Sequence, residues 1–262
     1  MSPRRPANLP TWVALREPLG AGGTASVIAA RDRRAGRDVV VKVVDLGAHP
    51  GRPDRFEREA RALARLGHGP GVPVVLAVGV DPTGLGWLVL ERVTGPDLAV
   101  AVGASGPMAP AAVAVLGARV AEVLAAAHEQ GVVHGDVSPA NVVPADPPVL
   151  VDFGVGGVGD GALPDDGALT PAYAAPERRR GAAPSPAADV FGLGATLWFA
   201  LTGDPPGAAP AASPAAHAPD ERAGVARVLL DALHDDPRRR PDAPALARGL
   251  ARPGGRVRWR RR

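Results

Sequence analysis

The apolar positions of the chain follow one pattern up to about residue 93 and another after residue 97. In the first part, short runs rich in β-branched residues are separated by Gly, Pro and Asp, which is typical of β-strands. One segment with helical periodicity interrupts them, from about 53 to 66. The predicted strands are 26–28, 39–44, 74–80 and 87–93. A mainly β lobe is therefore expected first.

The second part shows helical periodicity. Segment 108–128 repeats apolar residues at 3.6-like spacing, 190–201 is apolar throughout, and 225–233 and 243–250 are shorter amphipathic pieces. A mainly helical lobe is expected, with the boundary at 92–96. Proline, alanine and glycine dominate 205–219, which predicts an irregular loop.

Composition narrows the classes of protein. The 262 residues contain no Cys, which excludes disulfides, thiolate metal sites and a cysteine nucleophile. The apolar stretch 191–201 is shorter than the ~20 residues that span a bilayer, and no apolar signal core follows the N-terminus. A cytoplasmic protein without a transmembrane segment is expected.

The positive charge is concentrated at the C-terminus. Residues 252–262 carry six arginines and no acid, so the formal charge of +3 becomes −3 for the rest of the chain. No nucleic-acid binding is expected from the folded body. The basic tail could contact anionic partners or could simply be solvated.

Lys42 is the only lysine among thirty basic residues, and it lies in the valine-rich run 39–44. A buried ammonium group needs an anionic partner. On the helix predicted at 53–66, Glu59 shares a face with apolar residues, so it is the expected partner. Alternatively, Glu59 lies at the edge of that face and pairs with Arg55 or Arg58.

Two further groups of residues suggest phosphate chemistry. Segment 19–27 is a glycine-rich turn between strand-like runs, which allows backbone N–H groups to approach phosphate oxygens, although glycine turns also join many ordinary strands. His134, Asp136 and Asn141 lie in segment 132–142, and Asp152 follows a short valine-rich run. Two acids and an amide could hold Mg²⁺ through oxygen atoms, and a spare aspartate could accept a proton from a hydroxyl group.

In chain order these motifs resemble those of the eukaryotic-like serine/threonine protein kinases of bacteria, over about residues 12–251. Three later segments agree: Thr-Pro-Ala-Tyr-Ala-Ala-Pro-Glu at 170–177, Asp-Val-Phe-Gly-Leu-Gly at 189–194, and Asp-Pro-Arg-Arg-Arg-Pro at 236–241. The resemblance implies an α+β, bilobal protein-kinase-like fold. Its N-lobe (about 12–92) would be an antiparallel β-sheet with one main helix, and its C-lobe (about 97–251) mainly α-helical. Residues 1–11 would be an N-terminal extension and 252–262 a basic tail.

The resemblance also implies ATP and Mg²⁺ as cofactors and Ser/Thr hydroxyls of proteins as substrates. Lys42, held by Glu59, would contact the α- and β-phosphates. Asp152 and Asn141 would hold Mg²⁺, and Asp136 would orient the attacking hydroxyl and accept its proton. Glu177 and Arg240 would form a structural ion pair, and Asp189 would brace the catalytic loop. The residues implied to bind the nucleotide are Gly20, Gly22, Val27, Val40, Lys42, Leu90, Glu91 and Val93.

Four positions depart from the family pattern. Gly135 stands where many kinases have the arginine that pairs with an activation-segment phosphate, and Thr170 and Tyr173 are the only hydroxyl side chains between 152 and 177. Activity independent of activation-loop phosphorylation is therefore expected. Ser138 replaces the usual lysine that reaches the γ-phosphate, which predicts slow turnover. Val40 replaces the alanine above adenine, and Ala25 replaces the third glycine of the turn.

Two alternatives stay open. The departures at Ser138, Val40 and Ala25 would also suit a pseudokinase-like nucleotide-binding or interaction module. A catalytic loop without the lysine also resembles that of aminoglycoside- and choline-type small-molecule kinases. Segment 170–177 favours a protein substrate, because in protein kinases it shapes a platform for a peptide chain. The sequence does not determine an oligomeric state.

Overall fold

A computed structural model describes residues 4–21, 25–153, 157–158, 170–206 and 220–252. Gly22, most of the loop expected at 205–219, and all but the first residue of the basic tail lie outside these ranges. For Gly20 only the backbone is described. Within the described chain, the bilobal α+β fold expected from the sequence is present.

The N-lobe is a five-stranded antiparallel sheet with strand order β1-β2-β3-β5-β4. Helix α1 follows a single 3₁₀ turn after β3 and packs against the sheet. Its apolar face and Glu59 are buried against the sheet, where α1 contacts β3, the central strand that carries Lys42, as well as β4 and β5. The elements are β1 (Val13–Ala21), β2 (Ser26–Asp32), β3 (Arg37–Asp45), α1 (Arg52–Leu66), β4 (Val75–Val80) and β5 (Leu85–Glu91).

The segment expected to be an N-terminal extension lies against this sheet from residue 4 onward. Asp81 accepts a hydrogen bond from the backbone N–H of Ala7 at 3.0 Å. Asn8 donates to the carbonyl of Val80 at 2.9 Å and accepts from Trp87 Nε1 at 2.8 Å. These bonds tie the segment to the turn between β4 and β5, so it is structurally part of the N-lobe.

The C-lobe is mainly helical, as expected. Its core forms where α3 packs against α5 and α7, and α6 covers α5. The helices are α2 (Leu98–Ser105), α3 (Pro110–Glu129), α4 (Pro176–Arg179), α5 (Pro186–Thr202), α6 (Asp220–Ala232) and α7 (Ala243–Ala251). The short strands β6 (Val132–Val133), β7 (Val142–Val143), β8 (Val149–Leu150) and β9 (Gly157–Val158) pair as β6–β9 and β7–β8.

Helix α3 is long and apolar enough to cross a membrane by length and composition alone. It is the single such helix in the described ranges. The apolar stretch 191–201 noted in the sequence lies on a different helix, α5. Val113, Val120 and Leu124 on this helix are buried in the core of the C-lobe. The packing of that core accounts for the buried face of α3, while Val115 on the opposite face is exposed.

Candidate active site

Lys42 lies between two carboxylates at the junction of the lobes. Strand β3 presents its side chain opposite α1, and its Nζ is 2.6 Å and 2.9 Å from the two carboxylate oxygens of Glu59. Nζ also donates to Oδ1 of Asp152 at 2.6 Å. The contact between Lys42 and Glu59 expected from the sequence is present, and the additional contact with Asp152 links the N-lobe to the C-lobe.

The charge of Lys42 is kept by its two partners. Burial acts to lower the pKa of this ammonium group, but the nearby carboxylates of Glu59 and Asp152 outweigh burial, so the pKa is raised. Burial likewise acts to raise the pKa of Asp152, and the charge and hydrogen bond of Lys42 reverse this, so its pKa is lowered. The site therefore holds the Lys42 ammonium ion, which can bind phosphate, and the ionised Asp152 carboxylate, which can bind a cation.

Asp136 lies on the loop that follows β6, with its carboxylate beside two other candidate residues. Asn141 donates from Nδ2 to the backbone carbonyl of Asp136 at 2.9 Å and to its Oδ2 at 3.3 Å. Thr170 donates from its backbone N–H to Oδ1 at 3.0 Å and from its hydroxyl to Oδ2 at 3.2 Å. Burial raises the pKa of Asp136, against the opposing effect of the Thr170 hydrogen bonds.

The contact between Thr170 and Asp136 was not predicted from the sequence. Thr170 was interpreted as framework of the substrate platform, without a partner. Because the two residues are 34 positions apart, no local pattern joins them. The Thr170 hydroxyl therefore lies at the Asp136 carboxylate, in the place where a general base would bind the hydroxyl group of a substrate.

Helix α5 holds the catalytic loop, the segment that carries Asp136, in place. Asp189 is buried and accepts hydrogen bonds from the backbone N–H groups of His134 at 2.9 Å and Gly135 at 2.8 Å, while His128 Nε2 lies 2.8 Å from its Oδ2. A Cβ at Gly192 would lie 2.8 Å from the carbonyl oxygen of Val137, so the helix and loop approach closely through this glycine. Asp189 thus has the position expected of a brace.

Two residues of the site have left-handed backbone conformations. Gly135 has φ of 84°, a conformation that glycine adopts without a steric penalty. The arginine found here in many kinases would be strained in this conformation, because it has a Cβ. Glycine avoids that strain next to Asp136. Asp152 has φ of 67° and is the single non-glycine residue of this kind among those described. Such strain is often found at functional sites.

The residues expected around the adenine lie on one side of the N-lobe sheet and in the connection to the C-lobe. Val40 pairs with Leu90 across β3 and β5, and Val27 of β2 is opposite Lys42. The backbone of Gly20 in β1 lies opposite Val27. Glu91 ends β5, and Val93 lies in the following connection.

Not every backbone group of this connection is available to a ligand. The N–H of Glu91 donates to the carbonyl of Val74 at 2.9 Å, so this donor is already used. The side chain of Glu91 is 3.3 Å from Arg37. Hydrogen bonding to a base in this region must therefore use other groups of the connection.

Ser138 differs from the other polar residues of the loop. Its side chain is 1% exposed, and its hydroxyl oxygen has no hydrogen-bond partner in the described structure. An uncharged, buried hydroxyl cannot replace the reach or charge of a lysine. The structure therefore provides no cation at this position of the catalytic loop.

The donor atoms fit a magnesium ion shared with a nucleotide. The amide nitrogen of Asn141 is bound to Asp136, which leaves the side-chain oxygen as its acceptor end. The Asp152 carboxylate accepts the hydrogen bond from Lys42 at Oδ1, so Oδ2 is the oxygen that can face a cation. Within the described ranges no cluster of three or more His, Cys, Asp or Glu residues forms a metal cage. Magnesium commonly uses one or two protein oxygens together with substrate phosphates, so the pair fits.

A second ion pair stabilises the C-lobe away from the reacting groups. Arg240 binds both carboxylate oxygens of Glu177, with N–O distances of 2.6 Å and 2.8 Å. Its side chain is fully buried and also donates to the carbonyl of Ala187. This pair joins α4 to the turn before α7, as the resemblance implied.

Comparison with known proteins identifies the class to which this fold and site belong. Residues 13–246 match the protein kinase domain family. The chain therefore belongs to the protein kinase family, among the eukaryotic-like serine/threonine kinases of bacteria.

The individual relatives agree. The chain is 35% identical over 266 residues to the serine/threonine-protein kinase PkaA of Streptomyces coelicolor, covering 90% of this chain and 49% of PkaA. It is 34% identical over 250 residues to the serine/threonine-protein kinase PknK of Mycobacterium tuberculosis, covering 90% of this chain and 21% of PknK. It thus spans about half the length of these relatives or less.

A solved structure confirms the fold. The crystal structure of Rad53 1-466 in complex with AMP-PNP aligns with a TM-score of 0.71 and 24% sequence identity. The alignment covers 93% of this chain and 65% of the Rad53 chain.

Proposed function

We propose that the chain transfers the γ-phosphate of ATP to Ser/Thr hydroxyl groups of protein substrates. The observation that carries the proposal is the bridge from Glu59 through Lys42 to Asp152, which joins the N-lobe cation to the C-lobe carboxylate that follows β8. Phosphoryl transfer depends mainly on positioning and on neutralising charge, and this arrangement can do both. Asp136, on the neighbouring loop, supplies the carboxylate for the attacking hydroxyl.

Each residue has a definite role in this reaction. Lys42 binds phosphate oxygens while Glu59 fixes the direction of its side chain. Asp136 orients the hydroxyl and accepts its proton, aided by a pKa that burial has raised. Asn141 holds the backbone of Asp136 in place through its amide nitrogen. The backbone of β1 and β2 covers the nucleotide at Gly20 and Val27, and Val40 and Leu90 pack against the base.

We further propose that Asp152 and the side-chain oxygen of Asn141 hold Mg²⁺. The ion, when bound, neutralises charge on the phosphate oxygens. The carboxylate of Asp152 is suited to this because its lowered pKa keeps it ionised. Lys42 keeps this carboxylate in place at 2.6 Å.

The turnover that we propose is slow and independent of activation-loop phosphorylation. At the position of Ser138 no cation reaches towards the transferred phosphate, and the loss of one such electrostatic contact typically costs ~3 kcal/mol in the transition state. Gly135 cannot bind an activation-segment phosphate through a side chain. Phosphatase-treated protein is expected to be as active as untreated protein, and strict dependence on phospho-Thr170 would contradict this.

Transfer of labelled γ-phosphate from Mg-ATP to a generic basic protein and to the chain itself tests the main proposal. Wild type should transfer phosphate, and Asp136→Asn should bind ATP with little or no transfer. The buried, unpaired hydroxyl of Ser138 favours one competing function, a nucleotide-binding module without transfer. ATP binding by wild type with no transfer to any protein would select that function instead.

A further inference from the structure

A row of charged side chains crosses the N-lobe sheet at the end that adjoins the connection to the C-lobe. Arg31 of β2 lies opposite Asp38 of β3 in the register of the sheet. Val39 lies opposite Glu91, so the same antiparallel register places Arg92, the first residue after β5, opposite Asp38 on its other side. Two arginines therefore flank one aspartate from β2 to the end of β5.

A third arginine reaches the same aspartate from β1. The Nη1 atoms of Arg31 and Arg16 lie 2.9 Å and 3.5 Å from Oδ1 of Asp38. The hydrogen bond from Arg31, together with the charges of Arg31, Arg16 and Arg92, lowers the pKa of Asp38 against the opposing effect of burial. Within the described ranges, Arg16 and Arg31 form ion pairs with no other acid. These four residues form the arginine row, in which three cations share one carboxylate.

The arginine row is accessible to a ligand. The exposed fractions of the side chains of Arg16, Arg31 and Asp38 are 47%, 40% and 41%. An ion pair that only joined the strands would need one cation for Asp38, and exposed pairs contribute little to stability. The row therefore carries two positive charges beyond the one that Asp38 neutralises.

The other acids of this part of the N-lobe border the row and do not neutralise it. Glu91 pairs with Arg37 at 3.3 Å. Asp32 is buried, and Asp97 accepts a hydrogen bond from the backbone at the start of α2. Glu17 is exposed on β1, next to the row in the chain. The positive charge of the row is thus confined to a narrow strip with acids at its border.

This shape favours a short acidic peptide over a nucleic acid. Neighbouring strands are about 4.8 Å apart, so the three arginines span ~14 Å from β1 to the end of β5. In an extended peptide, every second side chain is about 7 Å further along, so three alternate acidic residues match this span. A nucleic acid needs a longer basic surface and aromatic side chains on which its bases stack. The row has no aromatic member, and Glu17 and Glu91 at its border would repel a continuous phosphate backbone.

We propose that Arg16, Arg31 and Arg92 form a docking surface for an extended acidic segment of a partner protein. Their planar guanidinium groups bind its carboxylates, which replace the solvent around the row. The inference goes beyond the proposed function, because docking requires no phosphoryl transfer. The attraction acts between exposed charges, so the affinity should fall as salt is added.

Fluorescence anisotropy with labelled peptides tests the docking surface. The probe is a short peptide in which Glu alternates with Gly, and the reference peptide has Gln in place of Glu. The whole chain is used, so that the three aspartates of segment 159–169 are present as competitors. Wild type should bind the Glu peptide about tenfold more tightly, equivalent to about 1.4 kcal/mol. In Arg16→Gln/Arg92→Gln, which keeps the pair of Arg31 with Asp38, this preference should fall to about twofold or less.

Two further variants separate the row from total charge and from misfolding. Arg227→Gln/Arg248→Gln removes the same charge from exposed positions of α6 and α7 and should keep the full preference. Arg16→Lys/Arg92→Lys retains the charges of the row and should keep most of it. Equal binding of the two peptides by wild type, or an equal loss in the α6 and α7 variant, would overturn the proposal. Tighter binding of a single-stranded oligonucleotide than of the Glu peptide, lost in Arg16→Gln/Arg92→Gln, would also overturn it and assign the row to nucleic acid.

Discussion

Lysine and asparagine, two of the residue types that this chain uses least, stand at positions with exacting partners. Lys42 is its only lysine, and Asn8 and Asn141 are its only asparagines. Lys42 contacts two carboxylates, while each asparagine donates from its amide nitrogen to a backbone carbonyl. Arginine or aspartate could not reproduce these contacts, because one has a planar fork and the other, when ionised, has no donor.

Replacing Lys42 by Arg should abolish most activity while the protein stays folded. The guanidinium group keeps the charge but cannot fit as a compact cation between Glu59 and Asp152. We expect kcat/KM to fall by ~100-fold or more, about 2.7 kcal/mol, measured by γ-phosphate transfer. Arg61→Lys is the control, because Arg61 forms an exposed pair with Glu57 on the same helix. Unchanged activity in Lys42→Arg would contradict the assigned role.

Asn8→Ala should destabilise the protein without touching the active site. Trp87 is 5% exposed, and its Nε1 would lose its acceptor. Leaving a buried donor unpaired costs about 1–3 kcal/mol, which denaturant unfolding followed by fluorescence would measure. Asn8→Asp retains the acceptor and should lose less stability. Equal losses in the two variants would show that the bond to Trp87 is not the cause.

At the scale of elements, periodic and strongly amphipathic segments were predictable, and others were not. The sequence indicated α1 and placed Glu59 on the same face as apolar residues, and Glu59 is buried there together with Phe56 and Leu63. Strand β1 was not among the predicted strands, because Pro18 and two register shifts interrupt its pattern. Helix α2 was also missed. Its run of Ala and Val has no polar face, so periodicity gives no signal.

Gly192 shows how one helix residue controls the catalytic loop. In Gly192→Ala the new Cβ would meet the carbonyl oxygen of Val137 at 2.8 Å, which must push the loop away from α5. We expect kcat to fall about tenfold or more, since small misplacements of catalytic groups are costly. Gly103→Ala in α2 is the matched control, because its Cβ meets no atom within 4 Å.

The control variant should be fully active and slightly more stable, because alanine favours a helix by up to ~1 kcal/mol over glycine. Steady-state kinetics and thermal unfolding of both variants provide the comparison. If both glycine variants kept full activity, the close contact between α5 and the loop would not position Asp136.

At the scale of the whole molecule, the site is assembled by long-range contacts, between the lobes and within the C-lobe, that the sequence did not determine by itself. Lys42 and Asp152 are 110 residues apart, and Thr170 and Asp136 are 34 apart. The family resemblance supplied the reacting residues in chain order, but the Thr170 hydroxyl at Asp136 depends on how separate segments pack. The N-terminal residues likewise join the N-lobe through partners some 70 positions away.

This N-terminal attachment should make stability depend on pH through Asp81. Hydrogen bonds from the Ala7 N–H and the Thr83 hydroxyl, which outweigh burial, lower the pKa of Asp81 from 3.8 to about 2. A carboxyl group with a lowered pKa contributes stability above its ordinary pKa and loses it as the pH falls towards the folded-state value. Wild type should therefore unfold at a higher temperature than Asp81→Asn above pH 4, and this difference should shrink between about pH 4 and pH 2. Asp54→Asn, on the exposed start of α1, controls for the change in net charge. A difference between wild type and Asp81→Asn that stays constant down to pH 2 would contradict an ionised, hydrogen-bonded Asp81 as the anchor of the N-terminal segment.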